Sequence, residues 1–344
     1  DSVDQAFVAG KTVAARHVGA NFFPSYALDH HGYMNVGYMV ICLSNAAILH
    51  FDARRENFPP PESLTHHLRD LWEVVRGFLF ADGRLARLGG DTRVRYAYCQ
   101  EYILPVLLYA ADVYQDAHAL ALAQSFLNIM ETEQRGNPAG LFFEKRLAPL
   151  ALENPYYYTR LESDRACVLA MLCNYLPLVN APAAPKISFS VSAKKDWRED
   201  EHGAVMTRNE KRFASFSWRA QGLAQALCLP PERSDLAEWN RNLTPVVGFI
   251  GKPGNQPDRR LIRHSISSFN EGFITSGLVV EGTGMNVEEG GAMTDQAATR
   301  LAFAALPDGQ TCVGFQYVVT SADKITYTTE IKSLHLNIPN DLFN

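Results

Sequence analysis

Residues 178–186 read Leu-Val-Asn-Ala-Pro-Ala-Ala-Pro-Lys, and the hydrophobic pattern of the chain changes at this stretch. Two prolines among small residues end a helix, because proline lacks a backbone donor and clashes with the preceding turn. Apolar residues recur at helical spacing before it and alternate as in strands after it. We therefore expect an α+β multidomain protein, helical over 1–180 and antiparallel β over 187–344, and not a Rossmann-like sheet.

The helical part is predicted to be a layer of six antiparallel helices. They lie near residues 2–18, 33–50, 62–80, 95–114, 116–133 and 160–177. Pro59, Pro60 and Pro61 precede the third helix, where the fixed φ of proline suits a helix start. The fourth is apolar nearly all round, which indicates burial between neighbouring helices.

The second part is predicted to be an antiparallel β-sandwich with large loops. Alternation and β-branched or aromatic residues predict strands at 187–191, 213–219, 273–281, 311–320 and 324–336. Pro307-Asp308-Gly309 predicts a turn between two of them.

Composition excludes several classes of protein. The chain has 344 residues, 47% of them hydrophobic and 20% charged, which is typical of a globular protein. A net charge of -5 gives no electrostatic reason to expect nucleic acid or an anionic membrane as partner. The longest apolar run, Met39 to Leu49, is interrupted by Ser44 and Asn45, so we expect no membrane span. The sequence also lacks a Gly-rich phosphate loop, a Gly-x-Ser-x-Gly elbow and a His-Glu-x-x-His helix.

One short window collects chemically useful side chains at the entrance of an apolar helix. Residues 26–38 read Tyr-Ala-Leu-Asp-His-His-Gly-Tyr-Met-Asn-Val-Gly-Tyr and contain His30, His31, Tyr33, Asn35 and Tyr38. Removal of a proton beside a carboxylate needs a base that is neutral near pH 7, a group that neutralises the enolate-like charge, and an acid for the leaving oxygen. Histidine, asparagine and tyrosine supply these roles, although the same residues also suit capping and packing.

A second group of polar residues follows fifty residues later. Residues 82–91 read Asp-Gly-Arg-Leu-Ala-Arg-Leu-Gly-Gly-Asp and lead into Arg93, Arg95, Tyr96 and Tyr98. Arginine binds carboxylate or sulfate with forked geometry, and tyrosine stacks on a sugar ring. A helix start with solvated arginines is the alternative interpretation.

The β part offers weaker candidates. Residues 259–264, Arg-Arg-Leu-Ile-Arg-His, end in His264 and either line a cleft from the β side or form an exposed basic strand. Residues 197–202, Trp-Arg-Glu-Asp-Glu-His, are interpreted as a surface loop. We expect no metal site and no cofactor; Glu288 and Glu289 are the only candidate ligands for a structural divalent cation.

The spacing of these segments resembles that of heparinase II/III-type polysaccharide lyases. The resemblance rests on the Gly-Tyr-Met-Asn-Val-Gly-Tyr helix entrance at 32–38, the long helix after it and the Asp-Gly-x-x-x-x-Leu-Gly-Gly-Asp stretch at 82–91. Members of that family join an α/α toroid to an antiparallel β-sandwich. The resemblance implies that this chain holds part of a toroid followed by its sandwich.

The resemblance also implies a reaction and a site. The family cleaves uronate-containing polysaccharides by β-elimination, so an acidic polysaccharide is the expected partner and a secreted or periplasmic location follows. Tyr38 would be the catalytic tyrosine, as acid or base, with His31 as its partner; Asn35 would complete the site and, with Arg95, is expected on the substrate carboxylate. The remaining candidates would bind substrate: His30, Tyr33, Arg93, Tyr96, Tyr98 and, standing in for the family's motif in the β part, His264.

Two other functions fit the sequence. A toroidal glycoside hydrolase would use two carboxylates, with Asp29, Asp91 and Glu101 as candidates. A protein that binds carbohydrate without turning it over would need none of these groups to react.

Overall fold

The computed structural model of the protein describes residues 3–16, 22–30, 32–86, 88–89, 100–220, 224–234, 246–249, 258–284, 293–320 and 328–332. This part of the chain has a mixed α+β fold in which every paired strand is antiparallel. Its α-helices are α1 (Val13–Arg16), α2 (Val36–Arg55), α3 (Leu68–Gly77), α4 (Ile103–Val113), α5 (Ala119–Arg135), α6 (Ala148–Glu153), α7 (Pro155–Tyr175) and α8 (Phe189–Ser192). Short 3-10 helices lie at Glu62–Thr65 and Leu176–Leu178.

The strands form small sheets in the first half and two larger ones in the second. The strands are β1 (Phe7–Val8), β2 (Lys11–Thr12), β3 (Asp29–His30), β4 (Tyr33–Met34), β5 (Lys195–Glu199), β6 (Ala204–Arg208), β7 (Phe213–Ser217), β8 (Gln225–Leu229), β9 (Val246–Phe249), β10 (Asp258–Phe269), β11 (Gly272–Gly284), β12 (Met293–Ala305), β13 (Cys312–Thr320) and β14 (Thr328–Lys332). Sheet I has the order β5-β6-β7-β8 and sheet II the order β10-β11-β12-β13. Two-stranded pairs are β1 with β2, β3 with β4, and β9 with β14.

Two of the predicted elements are wrong. The helix predicted at 2–18 is a hairpin of β1 and β2 followed by the four-residue α1, because Ala9 and Gly10 both adopt positive φ, which a right-handed helix does not allow. The strand predicted at 187–191 is the helix α8 instead. There the Ser188 hydroxyl accepts a hydrogen bond from the Val191 amide and caps the turn.

The other predicted elements agree with the structure to different extents. Helices predicted at 33–50, 116–133 and 160–177 correspond to α2, α5 and α7, and the helix at 62–80 is divided into a 3-10 turn and α3. The turn at 307–309 is present, with Asp308 accepting hydrogen bonds from the backbone amides of Gln310 and Thr311. Predicted segments 95–99, 324–327 and 333–336 lie outside the described residues.

Helix α2 is the one helix in the described residues that is long and apolar enough, by length and composition, to cross a membrane. Buried core helices pass the same test. Val40, Leu43, Ala47 and Phe51 of α2 have no exposed surface and belong to the largest hydrophobic cluster of the structure.

Sheet I is the middle of three layers. Met206, Leu227 and Leu229 on one of its faces join the hydrophobic cluster of the helices. Val205 and Phe216 on the other face join a second cluster with sheet II. Because both faces are covered, all five residues of β6 and of β7 are buried, a pattern that hides the alternation expected of a half-exposed strand.

Polar contacts also join the helical layer to sheet I. Trp197 donates from its indole nitrogen to the Ser25 carbonyl at 3.2 Å, and Lys195 donates to the Glu73 carbonyl at 2.8 Å. The buried Arg208 guanidinium donates to the carbonyls of Gly77 and Leu79 at the end of α3. The two parts that the sequence separates at 178–186 therefore share one core, while the predicted domain boundary itself stays a prediction.

Candidate functional site

The entrance of α2 is shaped by the hairpin of β3 and β4, in which Asp29 pairs with Met34 and His30 with Tyr33. The hairpin ends at Asn35, which is the N-cap of α2: its side-chain oxygen accepts a hydrogen bond from the Tyr38 amide at 3.0 Å. The Asn35 amide nitrogen donates to the Tyr33 hydroxyl at 3.4 Å, and both residues are buried. The structure thus gives Asn35 a capping role inside the core.

Tyr38 lies in the first turn of α2 and stacks on His30. Their ring centroids are 3.9 Å apart and their planes differ by 27°. Both side chains are partly exposed, although Nε2 of His30 is itself buried. The imidazole that the structure places against Tyr38 is that of His30; His31 lies outside the described residues.

Asp29, the residue before His30, connects the entrance of α2 to the β part. The Asp29 carboxylate accepts a hydrogen bond from Nε2 of His202 at 2.7 Å. His202 lies in the turn between β5 and β6, and its other ring nitrogen lies 3.2 Å from Oε2 of Glu199. Glu199 also accepts from the backbone amides of Glu201 and His202, which fixes the carboxylate in the turn.

His202 lies between two carboxylates, which favour its protonated form. Its side chain is 2% exposed, and the ring of Phe23 meets it edge-on at 5.0 Å. Burial alone lowers the pKa of His202, but the hydrogen bonds to Glu199 and Asp29 outweigh it and the pKa is raised. Burial raises the pKa of Glu199, but the hydrogen bonds from His202 and from the backbone outweigh burial, so the carboxyl pKa is lowered.

His264 approaches the same turn from β10. Gly203 adopts a positive φ of 63°, and a Cβ at that position would lie 2.6 Å from Nε2 of His264, so only glycine lets the two come this close. The Trp218 ring lies 5.9 Å from the His264 ring. Burial, with a smaller effect of Arg219, lowers the pKa of His264, so this imidazole is neutral at pH 7.

The loop after α3 approaches the helix entrance from the other side. Gly89 adopts a φ of 81°, and a Cβ there would lie 2.4 Å from the carbonyl oxygen of Met34 in β4. Gln100 holds the loop by accepting from the Leu85 amide at 2.6 Å and donating to the Gly83 carbonyl at 3.0 Å. The segments 26–38 and 82–89, which are distant in sequence, are therefore in contact.

The structure brings some of the predicted site residues together and does not describe others. Tyr33, Asn35, Tyr38 and His30 share the helix entrance, and His264 lies beside the His202 turn. The predicted site residues that lie outside the described residues are His31, Arg93, Arg95, Tyr96 and Tyr98. Their roles stay predictions.

The carboxylates considered for a glycoside hydrolase do not form a pair in the described residues. Glu101 is 1% exposed and binds both Nε and Nη2 of Arg165, at 3.0 and 2.7 Å. Asp29 is bound to His202, and Asp91 lies outside the described residues. Glu101 is therefore part of a buried ion network and out of reach of a polysaccharide.

The described residues contain no group of three or more His, Cys, Asp or Glu side chains placed to hold a metal ion. Asp29, His202 and Glu199 form a hydrogen-bonded row instead of surrounding a common point. Glu288 and Glu289, the predicted candidates for a cation, lie outside the described residues.

Sequence reasoning missed the contribution of residues 197–202. The interpretation of this stretch as a surface loop is wrong for Trp197, Glu199 and His202, all of which are buried. Four charged residues in the stretch suggested solvent, but Glu199 and His202 stand three positions apart before Gly203, a spacing that allows them to pair across a tight turn. Nothing in the sequence around Asp29 indicates that its carboxylate binds His202.

The chain gives no match to protein-family models, to curated proteins or to solved structures.

Proposed function

We propose that the protein is a polysaccharide lyase that cleaves an acidic, uronate-containing polysaccharide by β-elimination. The observation that carries the proposal is the stack of Tyr38 on His30 at the junction of the helical and β parts, with Asp29 and His202 crossing that junction beside it. In this proposal the helices are part of an α/α toroid and sheets I and II are its β-sandwich. The polymer substrate implies a secreted or periplasmic location.

The reaction divides among a few groups. A base removes the proton at C5 of the uronate, the electrons shift toward the carboxylate, and the C4–O bond breaks as an acid protonates the departing oxygen. We assign the acid to the Tyr38 phenol, and the base to the phenolate or to the adjacent imidazole, His30 in the described structure or the predicted His31. Stacking keeps the Tyr38 phenol and the His30 ring next to each other at the helix entrance.

Neutralisation of the substrate carboxylate falls to the arginines. The Asn35 side chain is occupied by the Tyr38 amide and the Tyr33 hydroxyl, and it is 1% exposed. Arg95, with Arg93 beside it in sequence, supplies the positive charge that a developing enolate needs. Tyr96 and Tyr98 would form the wall of the sugar subsite, and His264 its β side.

His202 acts as a positioning residue in this proposal. Its imidazole lies between Asp29 and Glu199, so it fixes the side chain next to His30 and does not itself reach a substrate, since it is 2% exposed. The carboxylates of Asp29 and Glu199 on either side of His202 leave no surplus positive charge for a uronate at this point.

The test is turnover on defined polymers. The protein is incubated with alginate, heparin, hyaluronan and chondroitin, and the ultraviolet absorbance of the unsaturated uronate is followed. Tyr38→Phe is expected to lower kcat by about 10²- to 10⁴-fold, the range of one general acid or base. Tyr156→Phe, an 81% exposed tyrosine of α7, is the matched control and should leave turnover unchanged.

Two results would overturn the proposal. Absence of the unsaturated product on all four polymers would reject the lyase. New reducing ends without ultraviolet absorbance would instead identify a hydrolase.

A further inference from the structure

The outer face of sheet II combines exposed aromatic side chains with arginines. Two rows of side chains cross the sheet on this face. In the first row Arg263 pairs with Leu278, Leu278 with Arg300, and Arg300 with Tyr317. The second row is Ser265, Ser276, Ala302 and Phe315. Together they border a groove of about 770 Å³.

This face is more apolar than a solvated sheet face requires. Phe315 is 68% exposed, Tyr317 60% and Val319 44%, although all three point away from the core between the sheets. An antiparallel sheet that covers a core on one side normally carries polar residues on the other. A contiguous exposed patch of large apolar side chains is typical of a binding surface.

The face is also locally basic in a chain of net charge -5. Arg263 and Arg300 are exposed, and neither forms an ion pair within the described part of the chain. The eight positions of the two rows include no Asp or Glu. The two arginines are two strands apart in one row, which separates them by about 10 Å at the usual strand spacing. The face therefore favours a ligand with repeated negative charges.

We propose that the outer face of sheet II is a second binding surface for an acidic polysaccharide, separate from the Tyr38 junction. Arg263 and Arg300 bind carboxylate or sulfate groups of the polymer, and Tyr317 and Phe315 pack against the apolar faces of its sugar rings. The ligand class is that of the proposed function, so the choice of polymer rests on it. The surface keeps the chain attached to the polymer independently of any reaction.

The experiment measures binding in the absence of turnover. In a Tyr38→Phe background, affinity for heparin, hyaluronan, alginate and chondroitin is measured at low and high salt, with a neutral glucan as reference. Arg263→Gln and Arg300→Gln are each expected to weaken binding about tenfold, and Tyr317→Ser by a similar factor. High salt should weaken binding of the parent and leave little difference between it and the arginine variants.

Two variants serve as matched controls. Arg135→Gln removes an arginine that is 76% exposed on α5, and Tyr156→Ser removes an exposed tyrosine of α7. Both should bind each polymer as the parent does. Circular dichroism and thermal unfolding confirm that every variant is folded, which is expected because the changed side chains are exposed.

The outcomes separate this inference from the proposed function. Binding that depends on Arg263 and Arg300, in a protein that makes no unsaturated product, supports the surface and rejects the lyase. Turnover with unchanged binding in the sheet variants rejects the surface alone.

Binding that appears only after residues 333–344 are deleted would show that the end of the chain covers the face. Self-association that is lost in Phe315→Ser, without a change in polysaccharide binding, would assign the face to a second copy of the chain. Either of the last two results overturns the proposal.

Discussion

The carboxylate of Asp29 lies 2.7 Å from Nε2 of His202, a residue 173 positions later in the sequence. This contact joins the hairpin before α2 to the first turn of sheet I, and Glu199 completes the row from the other side of the imidazole. It fixes the residue next to His30 and therefore the place where Tyr38 and His30 stack. The geometry of the candidate site thus depends on packing between the helical layer and sheet I.

Stability should depend on pH through His202 and Glu199. The pKa of His202 is raised in the folded protein, so its stabilisation is complete below the ordinary histidine pKa and is lost as pH rises through the raised value. The pKa of Glu199 is lowered, so its contribution is present above the ordinary carboxyl pKa and is lost as pH falls through the lowered value. The pair is therefore most stabilising between the ordinary carboxyl pKa and the ordinary histidine pKa.

His202→Gln tests this dependence. We expect it to lower the free energy of unfolding by about 2 kcal/mol at pH 6, the usual size for hydrogen bonds to charged groups, and by less at pH 9. Urea denaturation at several pH values measures the difference. His66→Gln, which replaces an exposed histidine, is the control and should give only a small change. An equal loss at all pH values would show that His202 is neutral.

Asn35 should behave as a helix cap. Asn35→Ala is expected to lower the free energy of unfolding by at least about 1 kcal/mol, whereas Asn35→Ser loses the amide hydrogen bond to Tyr33 but keeps a cap oxygen and should cost less. Thermal unfolding of both variants measures this. If the arginines neutralise the substrate carboxylate, Asn35→Ser should also keep turnover within about threefold of the parent. A stable but inactive serine variant would return Asn35 to the catalytic role predicted from the sequence.

The buried ion network around Arg165 should be essential for stability. Arg165 is 1% exposed and binds Glu101 and Glu133, each at 2.7 Å. Arg165→Met would leave Glu101 buried without its ion-pair partner and Glu133 with only the more distant Arg146, at 3.7 Å, so we expect a loss of about 3–5 kcal/mol in urea denaturation. Arg135→Met removes an arginine from an exposed pair with Glu131 and should cost less than about 0.5 kcal/mol. Similar losses in the two variants would contradict the buried network.

Gly89 should not tolerate a side chain. Both Gly89 and Gly140 have positive φ, but only Gly89 faces the Met34 carbonyl, while a Cβ at Gly140 would meet nothing within 4 Å. Gly140→Ala is expected to cost about 1 kcal/mol from backbone strain, and Gly89→Ala at least about 2 kcal/mol more from the clash. Thermal unfolding compares them. Equal losses of stability in the two variants would show that Gly89 does not lie against the Met34 carbonyl of β4.

Much of the secondary structure follows from local sequence. The helical spacing of its apolar residues predicts α2, and Pro307-Asp308-Gly309 predicts the turn in which Asp308 accepts from the next backbone amides. The strand predicted at 187–191 shows the limit of such patterns. There Ser188 offers a cap that outweighs the alternation of the following residues.

The sequence by itself determined the order of the helical layer before sheets I and II, the course of α2, and the concentration of His, Tyr and Asn at its entrance. These features depend on hydrogen bonds and spacings within a few residues, which are visible in the order of side chains. Only the tertiary structure decided that sheet I is buried on both faces, that Asn35 is enclosed as a cap, and that Asp29 and Glu199 hold His202 between them. Each of these results from the packing of segments that are distant in sequence, where burial and pairing are settled by which surfaces exclude water together.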